Sequence, residues 1–463
     1  MTTGLQPSPE TGSYGTRRGN EARIYVDGQA ALGAIFDAIE KARRSVWVTV
    51  SFVDLALVPP GRNCSILDVF AARAAAGIDV RLLFWWSEYA GIGSFRGDPE
   101  ELAALRERNI GVAMRWDCVP KGCHHQKSYV VDDEVAFVGG INLTREALSR
   151  PEHDGGGFHD LFAELRGPVV ADVAHNFVQR WNQATETIRR GHVYPSPQAA
   201  GPLPDPSPPG ARKEAGARDA RIERTIRHGL YRGRAGWPGE AEFDLSKGDA
   251  GVRHGILEAI GSARRTIYIE NQFLMDPQTI SALGRAASRG VEVVAVVPLE
   301  PDRNLLLYPA ERMRETRAAL AKLGECERVG LFGLARREDP EQPIYVHSKL
   351  LIADDERVIL GSANLWPPSY WRDSELNVFL PDPDLAADLR LRLWREHGAG
   401  EAPRGLADWI ELGQAGWHAR QTGAALPSRI VAIRPAEYYV FPDGAQAPWE
   451  HLARPHVNPG SRR

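Results

Sequence analysis

Two segments of the chain carry the same polar residues in the same order. The first reads HHQKSYVVDDEVAFVGGINL and the second reads VHSKLLIADDERVILGSANL, and both fit H-x-K-x4-D-x6-G-[GS]-x-N. The first copy contains His125, Lys127, Asp132, Gly139, Gly140 and Asn142. The second copy, 222 residues later, contains His347, Lys349, Asp354, Gly361, Ser362 and Asn364. Two unrelated surface strands would not keep this register, so we interpret the pattern as a duplicated functional motif.

Each copy has the spacing of half a catalytic site. Residues i and i+2 of a strand point to the same face, so His125 projects together with Lys127. The Asp-Asp-Glu that follows suits a hairpin turn, and the return strand ends at glycine, which brings Asn142 back beside the histidine. Asp132, and Asp354 in the second copy, are therefore predicted to be structural residues of the turn.

Two such halves facing each other would surround one anion with two imidazoles, two ammonium groups and two carboxamides. This set suits a phosphodiester, because lysine is a compact charge for phosphate oxygens and asparagine adds neutral donors. No metal or other cofactor is part of the set. The two histidines must then divide the proton transfers, one acting as a neutral nucleophile and the other protonating the leaving alcohol.

The elements that would position these residues are also duplicated. AIEKARRSVWVTVSF, from Ala38 to Phe52, aligns with AIGSARRTIYIENQF, from Ala259 to Phe273, and each copy indicates a helix end, a basic turn and a strand. RAAAGIDVRLLF similarly matches RAASRGVEVVAVV. The alternation of helix and strand predicts an α/β protein whose sheets are covered by helices. The basic pairs Arg43-Arg44 and Arg264-Arg265 are predicted to be solvated helix ends without a catalytic role.

The distribution of proline divides the chain into parts. Seven prolines between Pro195 and Pro209 exclude a helix or a sheet interior there, which indicates a linker or a long surface loop. We expect a disordered N-terminus over 1–20, a first lobe over 21–190, a linker over 191–220, a second lobe over 221–400 and a C-terminal extension over 401–463.

Composition excludes several classes of protein. The 463 residues include 56 Lys and Arg against 60 Asp and Glu, so the net charge of -4 lacks the basic excess of a nucleic-acid coat protein. The 4 cysteines are too few for a disulfide framework. No apolar run is long enough to span a bilayer, and the N-terminus does not read as a secretory signal. We expect a cytoplasmic protein, peripheral to the membrane if it acts on lipid.

The doubled motif resembles the phospholipase D superfamily. The flanking segments are similar to its eukaryotic-type branch, here without regulatory domains, and they include HHQK, FVGG, FHDLFAELRGPV, IYIENQF, YVHSKLLIADD, GSAN, RDSELNV and LWREH. The similarity extends from about Ile24 to His397. It implies a duplicated α-β-α-β-α fold of two pseudo-twofold-related lobes with mixed sheets. It also implies metal-independent phosphodiester cleavage through a phosphohistidine, with frequent transfer of the phosphatidyl group to alcohols.

The resemblance assigns roles to individual residues. It implies that His125 is the nucleophile and His347 the general acid, and that the matching lysines and asparagines bind phosphate. It further implies that Asp160 of FHDL and Glu375 of RDSE each orient one imidazole, with their pairing left open. The chain departs from the branch at Asn142, where Asp is frequent, and in the shortened loop after GSAN.

The expected function is hydrolysis or head-group exchange of a glycerophospholipid at a membrane surface, by a monomer that uses water or an alcohol as acceptor. No nucleic acid is an obligatory partner. The alternatives are a nuclease of the same superfamily and a cardiolipin synthase-like phosphatidyl transferase. Cys118, Cys123 and His124 lack the second ligand pair of a structural zinc site. Aromatic residues near the expected site could contact acyl chains or pack in the interior, and these are Trp85, Trp86, Trp366, Tyr370 and Trp371.

Overall fold

The computed structural model describes residues 14–85, 111–117, 119, 122–154, 157–184, 201–237, 240, 243–302, 305, 309–398, 400 and 405–439. Cys118, Trp86, residues 1–13 of the predicted N-terminal segment and residues 191–200 of the predicted linker lie outside this part of the chain.

The first lobe is a mixed sheet with helices on both faces. Its strands are β1 (Arg17–Val26), β2 (Ser45–Val50), β3 (Asp79–Trp85), β4 (Ala113–Asp117), β5 (Ser128–Val131), β6 (Val135–Gly139), β7 (Phe158–His159) and β8 (Leu161–Arg166). Its helices are α1 (Gly28–Glu40), α2 (Ile66–Ala75) and α3 (Val170–Gln183). The sheet order is β1-β8-β6-β5-β2-β3-β4, in which β2, β3 and β4 run parallel and the other neighbours are antiparallel.

The second lobe repeats this arrangement. Its strands are β9 (Arg218–Ile226), β10 (Arg234–Ala235), β11 (Phe243–Asp244), β12 (Asp249–Ala250), β13 (Thr266–Asn271), β14 (Glu292–Val296), β15 (Val329–Ala335), β16 (Pro343–Val346), β17 (Lys349–Ala353), β18 (Arg357–Gly361), β19 (Glu375–Leu380) and β20 (Ile430–Ile433). Its helices are α4 (Gly251–Ser262), α5 (Pro277–Ser288), α6 (Ala310–Gly324), α7 (Pro367–Trp371), α8 (Pro383–Glu396) and α9 (Leu406–Thr422). The order β9-β19-β18-β17-β13-β14-β15 has the same pattern of directions as the first sheet.

The core is arranged in layers that follow the duplication. One apolar cluster joins the inner faces of both sheets with α3 and α8, and it includes Val138, Phe177, Leu360 and Leu393. A second cluster lies between the first sheet and α1 and α2, and a third lies between the second sheet and α4, α5 and α6. The predicted duplicated α-β-α-β-α fold is therefore confirmed, because each sheet buries one face against outer helices and the other against shared central helices.

The ends of the predicted lobes differ from the structure. β1 begins at Arg17 and pairs with β9, so residues 17–20 of the predicted N-terminal segment form part of a strand. The Arg17 guanidinium binds the buried carboxylate of Asp172, and this ion pair holds a polar segment that has no apolar signal in the sequence. At the other end, β20 adds to β15, so the predicted C-terminal extension contributes a strand to the second sheet.

The described part of the proline-rich segment lies against the first lobe. Leu203 is buried, and its backbone N–H and C=O both bond to the Asn182 side chain at 2.8 Å. Arg212 binds the backbone and carboxylate of Asp133 in the β5–β6 turn. These contacts fix residues 201–217 as a surface loop. Among the described residues, no helix combines the length and apolarity needed to cross a bilayer.

Candidate active site

Two imidazole–carboxylate pairs connect the lobes. The Nδ1 atom of His125 lies 3.0 Å from both carboxylate oxygens of Glu375. The Nδ1 atom of His347 lies 2.6 Å from Oδ2 of Asp160. Each histidine therefore comes from one lobe and its carboxylate from the other, which answers the question of pairing that the sequence left open.

Backbone pairing across the lobe interface produces this exchange. β7 runs parallel to β16, with Phe158 opposite Tyr345 and His159 opposite Val346. The backbone N–H of His347 donates to the carbonyl of His159 at 2.8 Å, one residue before Asp160. In the symmetry-related position, the N–H of His125 donates to the carbonyl of Ser374 at 3.0 Å, one residue before Glu375. The backbone of each lobe thus aligns the motif histidine with the carboxylate of the other lobe.

The two carboxylates have different supports. Glu375 accepts hydrogen bonds from the hydroxyls of Ser362 at 2.6 Å and Ser369 at 2.5 Å. Asp160 accepts one from the backbone N–H of Leu161 at 2.8 Å. Gly140 occupies the position equivalent to Ser362, and a Cβ atom there would lie 2.4 Å from Oδ1 of Asp160. The [GS] position of the motif therefore provides a donor in one half and space in the other.

The motif lysines are buried beside the histidines. Lys127 has a fully buried side chain whose Nζ donates to the carbonyl of His125 at 2.7 Å. Lys349 is 2% exposed, and its Nζ contacts the carbonyl of His347 and donates to Oε1 of Gln272 at 3.1 Å. Both ammonium groups retain further donors, and these can bind phosphate oxygens.

The two motif asparagines bond to different partners. Oδ1 of Asn142 accepts the backbone N–H of Phe52 at 3.3 Å, which leaves the NH₂ group of the amide for a ligand. Asn364 is 1% exposed, and its amide contacts Oε1 of Gln272 at 3.4 Å. Gln272 therefore joins a lysine and an asparagine of the second motif.

Burial and mutual charge set the protonation of the site. Burial, together with the charges of Lys127 and Lys349, holds the pKa of His125 and that of His347 well below the usual imidazole value. Burial lowers the pKa of Lys127 to about 8 and that of Lys349 to about 7. Each lysine influences both histidines, and the charge of His125 lowers the pKa of His347, so the two half-sites form one electrostatic unit.

The carboxylates respond to burial in the opposite direction. Burial raises the pKa of Glu375 from 4.5 to about 7 and that of Asp160 from 3.8 to about 6, against the lowering effect of the lysines. The lowered pKa values of His125 and His347 favour neutral imidazoles, which is the state required of a nucleophile.

The motif aspartates lie away from the imidazoles. Asp132 accepts the backbone N–H groups of Arg43, Arg44 and Ser45, with its shortest contact at 2.6 Å. Asp354 makes the same contacts with the N–H groups of residues 264–266. Both aspartates have positive φ values, 55° and 58°, in the tight turns. They connect each hairpin turn to the preceding helix–strand junction.

The other candidate residues have varied environments. His124 is buried, with Nδ1 2.9 Å from Oδ2 of Asp117 and in contact with the Arg180 guanidinium. The Cys123 thiol is free. Of the aromatic candidates, Trp85 and Tyr370 are buried, Trp366 is half-buried against Phe273, and Trp371 is 54% exposed.

Two residues that contact the site were not among those predicted. Gln272 lies in the repeated segment IYIENQF, and the repeat indicated that this segment has a positioning role. The contact of Gln272 with Lys349 depends on tertiary structure. Ser369 lies in the short helix α7 that follows GSAN and has no counterpart in the first motif. Its hydroxyl bridges the Glu375 carboxylate and the backbone N–H of Asn364 at 3.1 Å.

The sequence of the chain is similar to those of known proteins. A protein-family model described as "Cardiolipin synthase, PLD-like domain" matches residues 35–155 and 256–396, together more than half of the chain. Cardiolipin synthase A of Pseudomonas putida (strain W619) is 26% identical over 399 residues, covering 84% of this chain and 71% of that protein. Phospholipase D A of Dictyostelium discoideum is 24% identical over 477 residues, covering 81% of this chain and 35% of that protein.

A solved structure shows the same fold. The crystal structure of phosphatidylserine synthase from Haemophilus influenzae Rd KW20 matches with a TM-score of 0.55 and 11% identity, covering 89% of this chain and 94% of that one. The phospholipase D superfamily is confirmed, whereas the eukaryotic-type branch is not, because most of the similar proteins are bacterial cardiolipin synthases. The chain therefore belongs to the protein family described as "Cardiolipin synthase, PLD-like domain".

Proposed function

We propose that this protein transfers a phosphatidyl group from one phospholipid to an alcohol acceptor at a membrane surface, as a cardiolipin synthase-like enzyme. The observation that carries the proposal is the pair of cross-lobe imidazole–carboxylate contacts, at 3.0 Å and 2.6 Å, beside two buried lysines. Similarity to several bacterial cardiolipin synthases favours transfer over the hydrolysis that the sequence motifs first suggested.

In the first step, Nε2 of His125 attacks the phosphorus of the donor lipid. A P–N bond forms while the P–O bond to the head group breaks, and His347 gives its proton to the departing alkoxide oxygen. Neutral His347 acquires that proton when the substrate binds, because the phosphodiester anion offsets the two ammonium charges that depress its pKa. Nδ1–H of each imidazole donates to its carboxylate, which fixes the tautomer and leaves Nε2 for chemistry.

In the second step, the acceptor hydroxyl attacks the phosphohistidine. Nε2 of His347 removes the hydroxyl proton, the new P–O bond forms, and the P–N bond breaks to restore neutral His125. The lysines and asparagines stabilise the negative charge that the phosphoryl oxygens gather in both steps. The reaction replaces one phosphate ester with another of similar energy, and this scheme uses no metal or cofactor.

The burial of the two imidazoles and their carboxylates favours an alcohol as acceptor. The side chains of His125 and His347 are 13% and 8% exposed, and both orienting carboxylates are buried. A site that excludes bulk water lengthens the life of a phosphohistidine and allows an acceptor lipid to compete with water. Hydrolysis remains the second candidate activity, supported by the similarity to a phospholipase D.

The test uses vesicles of phosphatidylglycerol, because cardiolipin carries two phosphatidyl groups on one glycerol. We expect release of free glycerol in equal amount to cardiolipin, and phosphatidylethanol when ethanol is added. Formation of phosphatidic acid alone would instead support hydrolysis. Cleavage of a short oligonucleotide without any lipid product would contradict the proposal and support the nuclease alternative.

The control variant is His125→Ala, which should form neither product. Brief incubation with phosphate-labelled lipid followed by denaturation should leave label on His125 of the unmodified enzyme. Label on His347 would reverse the assigned roles.

A further inference from the structure

A second cluster of histidines and carboxylates is buried behind the His347 pair. Asp27, at the start of α1, meets His153, His159 of β7 and Glu396 of α8, and we call these four residues the interlobe cluster. One ligand atom from each lies within 4.8 Å of the others, and all four side chains are at most 5% exposed. The proposed phosphatidyl transfer uses none of them.

The interlobe cluster gathers four possible ligand atoms around one point, at separations of hydrogen-bond length or slightly more. Nε2 of His153 lies 3.2 Å from Oε1 of Glu396 and 3.5 Å from Oδ2 of Asp27. Nδ1 of His159 lies 2.9 Å from Oε1 of Glu396 and 3.2 Å from Oδ1 of Asp27. Tetrahedral zinc with bonds of about 2.0–2.2 Å places its ligand atoms about 3.3–3.6 Å apart, so the side chains would move apart by a few tenths of an ångström to hold the ion. We propose that the interlobe cluster binds one zinc-class divalent cation.

An unsatisfied buried oxygen points to the same conclusion. Oδ2 of Asp27 is buried and makes no hydrogen bond within the described chain. Asp27 also has a φ of 62°, an uncommon conformation for a residue with a side chain. A buried carboxylate oxygen without a donor is costly, and a bound cation would remove that cost.

The charges of the interlobe cluster also suit a divalent ion. Across the part of the chain that the structure describes, no lysine or arginine side chain bonds to the carboxylates of Asp27 or Glu396. Two carboxylates and two imidazoles that have lost any extra proton would form a neutral unit around a dication. The ion would displace the proton that Glu270 and Glu396 favour on His159, whose pKa they raise well above its usual value. Four protein ligands would leave no open position, which is the form of a structural rather than a catalytic site.

Glu270 of β13 supplies the outer partner that such a site needs. Nε2 of His159 lies 2.8 Å from Oε2 of Glu270, so Nδ1 is the nitrogen that faces the other cluster atoms. The second oxygen of Glu270 contacts the hydroxyl of Tyr268 at 2.5 Å and Nε2 of His397 at 3.0 Å. A carboxylate on the far nitrogen of a metal-binding histidine is a recurrent arrangement, because it fixes the tautomer and increases the basicity of the ligand.

Another buried cluster of the first lobe provides a contrast. There the buried pair of Asp117 and His124 contacts the guanidinium of Arg180, which supplies the positive charge directly. Within the described ranges of the chain, no guanidinium bonds to the imidazoles or carboxylates of the interlobe cluster, so a metal ion would supply the positive charge that Arg180 supplies to Asp117 and His124.

The proposed metal would hold together the residues that support His347. Its ligands come from the first lobe and from α8 of the second. The backbone N–H of Asp27 donates to the carbonyl of Asp160 at 2.8 Å, and Oδ1 of Asp27 accepts the N–H of Asp160 at 3.3 Å. The cation would therefore position Asp160 without contacting the substrate.

The test measures zinc in untagged full-length protein that has been produced with added zinc and dialysed extensively. We expect about one zinc per chain, as four protein ligands of a closed site imply. His153→Ala should lose that zinc, whereas the matched control His124→Ala, in the arginine-containing cluster, should retain it. Zinc-free wild-type protein, or zinc retained in folded His153→Ala, would overturn the proposal.

A second measurement avoids dependence on a variant that fails to fold. Wild-type protein refolded with Co²⁺ should show the intense visible d–d absorption of a tetrahedral site, and an equimolar amount of Zn²⁺ should abolish it. Absence of this absorption in folded protein would also refute the inference. Both readouts are independent of enzymatic activity, so failure of the lipid assay would not affect them.

Discussion

The Glu375→Gln substitution should lower activity and raise stability together. The substitution keeps the shape of the side chain but removes its charge. Both oxygens of the carboxylate lie 3.0 Å from Nδ1 of His125, and two serine hydroxyls also donate to it. The amide NH₂ of glutamine can donate to Nδ1, which would move the imidazole proton to Nε2 and block the nucleophile. Loss of an orienting carboxylate in this way costs about 10³- to 10⁴-fold in kcat.

The effect on stability follows from the raised pKa of Glu375. Its folded pKa of about 7 lies above the ordinary 4.5, so the folded state loses stability as the pH rises from 4.5 to 7. At 1.36 kcal/mol per pH unit, the ionised carboxylate costs the folded protein about 3 kcal/mol at pH 8. Glutamine avoids this cost but makes poorer hydrogen bonds, so we expect a net gain of about 1–3 kcal/mol at pH 8. The gain should shrink as the pH falls toward 5.

The assay combines product formation from phosphatidylglycerol vesicles with denaturant unfolding at pH 8 and pH 5. The matched control is Glu223→Gln, because Glu223 is a buried residue of β9 whose pKa is also raised to about 7. That variant should keep its activity. Activity of Glu375→Gln within tenfold of wild type, or a loss of stability at pH 8 as large as the expected gain, would refute the reasoning.

Three further perturbations test other parts of the site. Burial brings the pKa values of Glu375 and Lys349 both to about 7, so kcat/KM should peak near pH 7. It should fall in acid as the carboxylate is protonated and in base as the ammonium group loses its proton. A flat profile from pH 6 to 9 would contradict this. Gly140→Ala should lower kcat at least about tenfold, because the new Cβ would lie 2.4 Å from Oδ1 of Asp160 and displace that carboxylate. Unchanged kinetics would exclude this role of the glycine. Asp354→Ala should lower the free energy of unfolding by about 2–4 kcal/mol at pH 7, since three backbone N–H groups lose their acceptor. The pKa of Asp354 is lowered in the folded state, so its contribution to stability should disappear in acid. Denaturant unfolding of wild type and variant at pH 7 and in acid measures this difference.

The sequence was sufficient to predict the fold, and its doubled motif supplied the residues proposed for the site. Two motifs in register required a duplicated α/β body, and the alternation of apolar strands and helices indicated its layers. The turn residues alone suggested the structural position of Asp132, because its conformation depends on the local hairpin turn. Strand spacing suggested that His125 projects together with Lys127, but β5 begins at Ser128, so both residues precede the strand. His125 is instead held by the hydrogen bond of its backbone N–H to Ser374. The bounds were less accurate, since β1 begins at Arg17 through an ion pair with Asp172 that leaves no local signal.

Tertiary structure alone decided which groups work together. The sequence contained Asp160 and Glu375 but could not assign them, because the pairing depends on how β7 aligns with β16 across the lobe interface. The same interface brings Asp27, His153 and Glu396 together from distant parts of the chain. Local patterns report neighbours within a strand or turn, whereas contacts between lobes depend on the packing of two complete sheets, and only the folded chain contains that information.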